Sequence, residues 1–369
     1  MLMLGLGAVS SVPSAFPDEW MRGAVFFLNS QKDVAVNTTL SALGSARAEL
    51  GVDTVAIQYM WAAANGTSSS VFADDRTPLA ADLETLINAA HGHGLQVLLK
   101  PMVVAVNSTT SPRGELVPRL HPTDAAAWFA SYEQLLLPTA SMAERLGVKA
   151  LAVGLELEAL VSHEASWRAL IHKVRGLFKG QLTYSSNPLV NETSSVAFWD
   201  AVDYIGAELY LPFVLDPSPN ASLILSRAQM VATYSLLLRH FLLDWHAALW
   251  PKRKILVTEF GYPSSNIGMR IPWSNPDGHP GSRPLPASCT GVHASNLTAQ
   301  AAAYDVALSA FAANPTVFNG AFQLWYGTPG TSDWIGDREK PGSLWACGWT
   351  PACKSGTVSA LRRAFAKTT

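Results

Sequence analysis

The sequence is poor in the residues that metal chemistry needs. Only three of its 369 residues are cysteines, Cys289, Cys347 and Cys353, and they show neither CxxC spacing nor a neighbouring histidine cluster. A structural zinc site is therefore not predicted, and we expect neither a metal nor a cofactor. One disulfide with a remaining thiol and three unpaired thiols are equally compatible with these positions.

Charge and long apolar runs are also scarce. Charged residues make up 15% of the chain and the formal net charge is −2, which argues against nucleic acid as a partner. Beyond the N-terminus no apolar run approaches about 20 residues, so we expect no membrane span. Hydrophobic residues reach 49%, which indicates a large folded core rather than disorder.

The N-terminus and the asparagines suggest a secretory route. Residues 1–19 open with the apolar "MLMLGLGAVSSVPSA", which we interpret as a signal-peptide remnant or an N-terminal extension. Residues 20–369 are predicted to form a single domain, and we expect a monomer. N-x-S/T sequons occur at Asn37, Asn65, Asn107, Asn191, Asn220 and Asn296. Their number predicts a secreted or lumenal, N-glycosylated protein.

Short aliphatic and β-branched runs alternate with longer helical patterns, a rhythm typical of parallel strands with helical crossovers. Eight runs read as strands: 22–27, 53–59, 95–101, 149–156, 181–187, 203–210, 254–260 and 320–325. Helical patterns cover 77–94, 121–147 (with Thr123 or Asp124 as cap), 299–314 and 355–367.

These elements predict a (β/α)8 TIM barrel with loop insertions at its C-terminal face. A doubly wound sheet would need a glycine-rich turn after the first strand, and "FFLNSQKD" has no glycine. The irregular segment 263–295 after the seventh strand is predicted to be an insertion or lid.

Active sites of TIM barrels lie at the C-terminal strand ends. The residues there form a polar and aromatic ring: Gln58, Tyr59, Lys100, Glu156, Asn187, Glu208, Tyr210, Glu259 and Trp325. A single strand-end glutamate is as often a salt-bridge partner as a catalyst. However, Glu156 and Glu259 lie on the fourth and seventh strands, across the barrel from each other. Two opposed carboxyl groups are what cleavage of a glycosidic bond requires.

The stretch "LAVGLELEAL" carries two acids, Glu156 and Glu158. Strand alternation puts Leu151, Val153, Leu155 and Leu157 on one face and Ala152, Gly154, Glu156 and Glu158 on the other. We expect the small face to line the barrel interior, so that Glu156 emerges from a poorly solvated wall. Such a setting raises a carboxyl pKa, as a general acid needs. Glu158 is expected to be a flanking acid of a loop or helix cap.

Several motifs together resemble glycoside hydrolase family 113, a family of β-1,4-mannanases in the large clan of retaining (β/α)8 glycosidases. They are "VLLKP", "LAVGLELEAL", "WRALIHKVR" with "LTYSSN", "FWDAVDYIGAELY", "ILVTEFGYPS", "AQAAAYDVAL" and "WTPACKSGTVSALRRAF", in the same order over roughly residues 20–367. The motifs are short, and their order and spacing are more specific than any one of them.

The resemblance implies a retaining glycosidase acting on β-1,4-mannan or glucomannan, with a carbohydrate as its partner. Glu156 would be the acid/base and Glu259 the nucleophile, with carboxyl groups about 5–5.5 Å apart. Tyr210 matches a tyrosine that hydrogen-bonds the nucleophile. The resemblance implies Tyr210, Trp325, Asn187 and Glu208 as substrate-binding residues. Tyr59 and Lys100 from the strand-end ring, and Trp61 from loop-like sequence beside it, are further candidates.

Three positions depart from the pattern of the clan or family. Leu155 replaces the asparagine common before the acid/base, Pro188 an aromatic residue, and Met102 a histidine. These changes touch substrate binding more than the two glutamates, so the activity class is better supported than the sugar.

Three alternatives stay open. One is another retaining β-glycosidase of the clan, such as a glucanase, a galactanase or an exo-mannosidase. A second is a non-catalytic carbohydrate-binding barrel, which would keep Trp325, Tyr59 and Trp61 without needing both glutamates. A third is an aldolase or phosphate-handling barrel using Lys100, for which a salt bridge inside the barrel is the more ordinary role. Trp273, Trp334 and Trp345 could extend a sugar groove or simply cover the barrel end.

Overall fold

The computed structural model describes residues 19–28, 37–106, 115–116, 120–216, 225–262, 266–272, 296–324 and 359–365. Its eight main strands are β1 Met21–Leu28, β2 Thr54–Ala63, β3 Gln96–Ala105, β4 Ala150–Leu155, β5 Gln181–Ser186, β6 Tyr204–Glu208, β7 Ile255–Phe260 and β8 Phe318–Gln323. Each pairs in parallel with the next, and β8 pairs with β1. The predicted TIM barrel is confirmed. A two-residue strand, Glu115–Leu116, runs antiparallel to the end of β3.

Helices follow the strands around the barrel. They are α1 Asn37–Leu50, α2 Ala80–Gly92, α3 Ala125–Arg145, α4 Glu164–Leu177, α5 Arg227–Leu238, α6 Asp244–Leu249, α7 Leu297–Ala312 and α8 Ser359–Phe365. A π-helical turn, Arg239–Leu243, joins α5 to α6, and Glu192–Ser195 forms a single helical turn after β5. Short 3-10 turns occupy Glu158–Leu160, Pro188–Val190, Trp199–Ala201 and Asn266–Met269.

The start and end of α3 follow from side-chain chemistry. Asp124, rather than Thr123, caps the helix, because its carboxylate accepts a hydrogen bond from the backbone N of Ala127 at 3.0 Å. Past the C-terminal end, Gly147 adopts φ +67°, a left-handed conformation that suits glycine. The helix therefore begins and ends where its sequence predicts.

The barrel interior has an apolar floor below the strand ends. It consists of Met21, Val25, Ala56, Leu98, Ala150, Leu256 and Phe322, all buried. Gly23 makes room for this packing, since a Cβ there would lie 2.1 Å from the Phe322 ring. The next inward positions on β3 and β7, Lys100 and Thr258, are polar. The interior thus changes from apolar to polar towards the C-terminal face.

Several expectations fall on residues outside those described. These are the N-terminal residues 1–18, the three cysteines, and all of the 263–295 insertion except residues 266–272. None of the helices in the described ranges has the length and apolar character needed to cross a bilayer. The same ranges contain no group of three or more metal-ligating side chains placed to share an ion.

Candidate active site

Glu156 lies one residue beyond β4 in an unusual backbone conformation. Its φ is +46°, in the left-handed region that costs a non-glycine residue about 1–3 kcal/mol and is most often found at functional sites. Its backbone N donates to the carbonyl oxygen of Ser185 at 2.8 Å, which ties it to β5. Asn187, just past β5, donates from Nδ2 to Glu156 Oε1 at 2.9 Å. The structure therefore brings Glu156 and Asn187 together at the mouth.

Glu259 lies near the end of β7 with a donor on each carboxylate oxygen. The Tyr210 hydroxyl, two residues past β6, donates to Oε1, which is the contact implied by the resemblance. Lys100 Nζ, on β3, donates to Oε2 at 3.1 Å. Burial raises the pKa of Tyr210 well above its usual value, so its hydroxyl keeps the proton it donates. These contacts fix the orientation of the Glu259 carboxylate.

Lys100 is fully buried beneath the mouth and has no solvent-exposed surface. Its Nζ lies 2.8 Å from Glu208 Oε1 and 3.2 Å from the carbonyl oxygen of Thr258, besides its contact with Glu259. Burial alone would lower the pKa of Lys100, but the charges of Glu208 and Glu259 outweigh it and the pKa is raised. A permanently cationic lysine suits the salt-bridge interpretation and not Schiff-base chemistry. Lys100 does not line the pocket, contrary to the prediction that it binds substrate.

Glu208, at the end of β6, interacts electrostatically with both Glu259 and Glu156. Burial raises its pKa well above the ordinary value, the charges of Glu259 and Glu156 raise it further, and Lys100 opposes them. The Thr258 hydroxyl also donates to Glu208 Oε1 at 3.0 Å. Because both other carboxylates act on Glu208, the three acids share one region of the barrel mouth. With only 2% of its surface exposed, Glu208 supports Lys100 and Glu259 rather than presenting a surface to a sugar.

The structure does not bring Tyr59 and Trp61 to the site. Their exposed fractions are 2% and 3%, and both belong to the cluster between the strands and the helices. The Trp61 ring packs edge-on against Tyr132 of α3 at 5.4 Å. Odd positions of β2 face the helices, so these rings are core residues, and their prediction as sugar platforms is corrected. Among the other predicted aromatics, Trp325, Trp273, Trp334 and Trp345 lie outside the described residues.

The expected alternation of β4 fails near its end. The pairing of β4 with β5 shifts register between Ala152 and Leu155, a bulge that turns the chain. A Cβ on Gly154 would lie 2.7 Å from both Trp167 and Tyr184, so this residue faces the helix layer and not the barrel interior. Past the bulge, Glu156 reaches the mouth through its left-handed backbone. Glu158 begins the 3-10 turn Glu158–Leu160, in line with its expected flanking role.

Three residues of the site were not predicted from the sequence: Glu192, Tyr184 and Thr258. Tyr184 Oη donates to Glu192 Oε1 at 2.6 Å, and the backbone N of Asn187 donates to Glu192 Oε2 at 2.7 Å. Glu192 is almost fully buried. It stands in a polar stretch, "NETSS", whose composition suggests a solvated loop. Only tertiary contacts reveal its place next to Glu156.

Comparison with known protein families identifies the family of this chain. The model of Glycoside Hydrolase Family 113 matches residues 29–327, most of the chain. The chain belongs to glycoside hydrolase family 113. It is therefore a glycoside hydrolase that acts on carbohydrate, and the resemblance read from its motifs is confirmed.

Solved structures of family 113 share the fold. The β-mannanase AaManA from Alicyclobacillus acidocaldarius superposes with a TM-score of 0.69 at 23% identity, covering 95% of this chain and 99% of that one. A second family 113 β-1,4-mannanase gives 0.68 at 20% identity, covering 94% and 98%. A fungal β-1,4-galactanase gives 0.51 at 15% identity, covering 92% and 99%. No curated protein sequence matches the chain.

Two of the three departures from the usual pattern have structural explanations in this family 113 chain. Leu155 is 3% exposed and packs in the helix-facing cluster. Pro188 opens the 3-10 turn Pro188–Val190, which Asn187 caps through its Oδ1. Met102 Sδ accepts a hydrogen bond from Gln58 Nε2 at 3.4 Å. The first two changes thus serve local packing and turn formation.

Proposed function

We propose that this glycoside hydrolase cleaves β-1,4-linked mannan or glucomannan by double displacement, with retention of anomeric configuration. Glu156 acts as the general acid/base and Glu259 as the nucleophile. The observation that carries the proposal is the different setting of the two glutamates. Glu259 is held by Lys100 and Tyr210, whereas Glu156 is partly exposed at the mouth and accepts an amide hydrogen bond from Asn187.

The first half-reaction follows from this asymmetry. A Glu259 carboxylate oxygen attacks the anomeric carbon, and the bond to the leaving oxygen breaks as Glu156 donates its proton to that oxygen. Forming the glycosyl ester removes the negative charge of Glu259. Lys100 still lies 2.8 Å from Glu208 Oε1, so the buried ammonium group keeps a hydrogen-bond acceptor throughout.

The second half-reaction reverses these roles. Water attacks the anomeric carbon and gives a proton to Glu156, now ionised, while Glu259 leaves as a carboxylate that Tyr210 and Lys100 again hold. Preorganised donors of this kind act without rearranging during the reaction. The mannan assignment is supported by the family and by the β-1,4-mannanase neighbours, of which the two compared above share its fold.

A substrate panel with stereochemical analysis tests this function. The enzyme should release reducing ends from mannan and glucomannan faster than from β-glucan or β-galactan, with the β-anomer appearing first by proton NMR. Glu259→Ala should lower kcat by several orders of magnitude, and Glu156→Gln should be most damaging for poor leaving groups. Faster cleavage of galactan or glucan would overturn the substrate assignment, and initial α-anomer would overturn retention. No reducing ends from any β-linked glycan would support the non-catalytic carbohydrate-binding alternative.

We further propose that the protein is secreted or lumenal and N-glycosylated. Among its sequons, Asn65 and Asn191 have exposed side chains, as a bulky glycan requires. Expression in a eukaryotic secretory host should give a product whose mass falls on treatment with peptide N-glycosidase. Asn65→Gln and Asn191→Gln should each reduce that fall in mass by the mass of one glycan. A secreted product of unmodified mass would contradict the proposal.

A further inference from the structure

Glu192 is a buried acid to which neither the motifs nor the mechanism above assigns a role. It is the first residue of the helical turn Glu192–Ser195, and only 1% of its surface is exposed. Burying a carboxylate is costly unless it is fully hydrogen-bonded. A residue of this kind close to a reacting carboxyl group therefore calls for a specific explanation.

The two oxygens of Glu192 accept hydrogen bonds from β5 and from the residue that directly follows it. Oε1 accepts from the Tyr184 hydroxyl on β5 at 2.6 Å, and Oε2 accepts from the backbone N of Asn187 at 2.7 Å. Tyr184 Oη in turn accepts from the backbone N of Leu157 at 3.0 Å. One carboxylate thus fixes the residue that follows Glu156 and the residue that donates to its side chain.

Glu156 needs such fixing because its backbone is strained. With φ at +46°, it would relax towards an ordinary conformation if its neighbours were free to move. The Leu157 amide and the Asn187 side chain hold it from both sides, and both lead back to Glu192. A displacement of about 1 Å in a catalytic group can cost a hundredfold in rate.

We propose that Glu192 is the positioning residue of the acid/base, holding Glu156 through Tyr184 on one side and Asn187 on the other. This inference rests on the proposed function, in which Glu156 transfers the proton. Glu192 does not touch substrate and acts only through these two neighbours.

The charges around Glu192 support an interaction with Glu156. Burial, first, and then the charge of Glu156 raise the pKa of Glu192 to about 8, and Glu158 adds a smaller effect in the same direction. The hydrogen bonds from Tyr184 and Asn187 oppose the shift. The effect of Glu156 on Glu192 indicates that the two carboxyl groups lie close enough to interact electrostatically.

Two variants distinguish loss of the hydrogen bonds around Glu192 from a general loss of stability. In Glu192→Gln, the amide oxygen can accept from only one of the two donors, and the amide NH2 faces the other. Tyr184→Phe removes only the hydroxyl and keeps the ring that packs on Trp167 and Phe198. The matched control is Glu164→Gln on α4, whose exposed carboxylate pairs with Arg168 away from the site.

The test is the dependence of kcat/KM on the leaving group, measured with the full chain, because kcat/KM reports the first half-reaction, whereas kcat also includes the second, in which Glu156 acts on both substrates alike. The substrates are the best polysaccharide from the panel and the dinitrophenyl glycoside of the oligosaccharide that the wild type releases from it. A dinitrophenolate group leaves without a proton, so loss of acid catalysis spares it. Glu192→Gln and Tyr184→Phe should lower kcat/KM on the polysaccharide by about tenfold to a hundredfold more than on the dinitrophenyl glycoside. The control should lower neither.

Two results would overturn the inference. Equal losses on both substrates, in either variant, would indicate a structural role only. Wild-type kcat/KM in both variants on both substrates would indicate no role at all. Glu156→Gln, run in parallel, separates this inference from the function on which it rests. If Glu156→Gln itself shows no leaving-group dependence, the acid/base assignment fails; if it does and the Glu192 variant does not, only the positioning role fails.

Discussion

Replacing Lys100 with methionine probes the buried charge cluster beneath the site. Methionine has a similar volume, so the change removes mainly the ammonium group and its contacts with Glu208 at 2.8 Å and Glu259 at 3.1 Å. Two buried carboxyl groups then lose their shared cation. Breaking a buried ion pair from one side costs about 3–5 kcal/mol. With an unfolding entropy of about 2.1 cal/mol/K per residue, a chain of 369 residues should show a fall in Tm of roughly 4–6 °C.

The loss should depend on pH with a definite sign. Lys100 lowers the pKa of Glu208, which burial already holds well above its ordinary value. Removing Lys100 raises the folded-state pKa of Glu208 further above its unfolded value. Stability from such a group is fully present below the unfolded pKa and is lost as pH rises through the folded pKa. The deficit against wild type should therefore be small near pH 5 and larger near pH 7.5.

Thermal unfolding followed by circular dichroism at both pH values measures this effect. The matched control is Lys173→Met, which breaks an exposed pair with Glu133 at 2.7 Å and should change stability by less than about 1 kcal/mol. Adding Glu208→Gln to Lys100→Met should recover part of the stability, because one buried carboxyl group is gone, but not the activity. Equal effects of the two lysine variants, or a larger deficit at pH 5, would refute the reasoning.

Three further predictions follow from single contacts. Tyr210→Phe should lower kcat by about tenfold to a hundredfold with little change in Tm, because Glu259 loses one donor; an unchanged kcat would contradict this. Gly154→Ala should lower Tm, because the added methyl group meets two aromatic rings at 2.7 Å; a Tm at or above the wild-type value would contradict this. Trp61→Ala should cost about 3–5 kcal/mol of folding stability, measured by denaturant unfolding, because the packing of the Trp61 ring on Tyr132 is lost. A variant of wild-type stability with a raised KM would instead indicate that Trp61 binds sugar.

The strands and several helices could be predicted because their signals are local. The run at 254–260 forms β7 Ile255–Phe260, and the cap of α3 is Asp124, one of the two neighbouring residues that the sequence offered for it. Placing Glu156 and Glu259 at the same end of the barrel required the (β/α)8 arrangement, and strand counting supplied it. For each of these features the deciding residues are neighbours in the chain or occupy the same end of every strand.

The errors came from side-chain direction. Tyr59 and Trp61 were assigned to the mouth by their place near a strand end, but their parity turns them towards α3. At Gly154 the parity argument itself fails, since the register of β4 against β5 shifts between Ala152 and Leu155. Lys100 lies near a strand end and points inward, but too deep to meet a sugar. The spacing of residues along the chain does not by itself predict the directions of these side chains.

The sequence by itself determined the eight-strand rhythm and the family, and it singled out the two glutamates of the proposed mechanism, because hydrophobic period and motif order are properties of the chain. Tertiary structure alone decided how those glutamates are held. The contact of Lys100 with Glu208 and Glu259 joins residues more than a hundred positions apart. Glu192 lies near Glu156 because three features come together: the register shift at the end of β4, the positive φ of Glu156 and the helical turn Glu192–Ser195. Such contacts arise only when the barrel closes and brings its strand ends together.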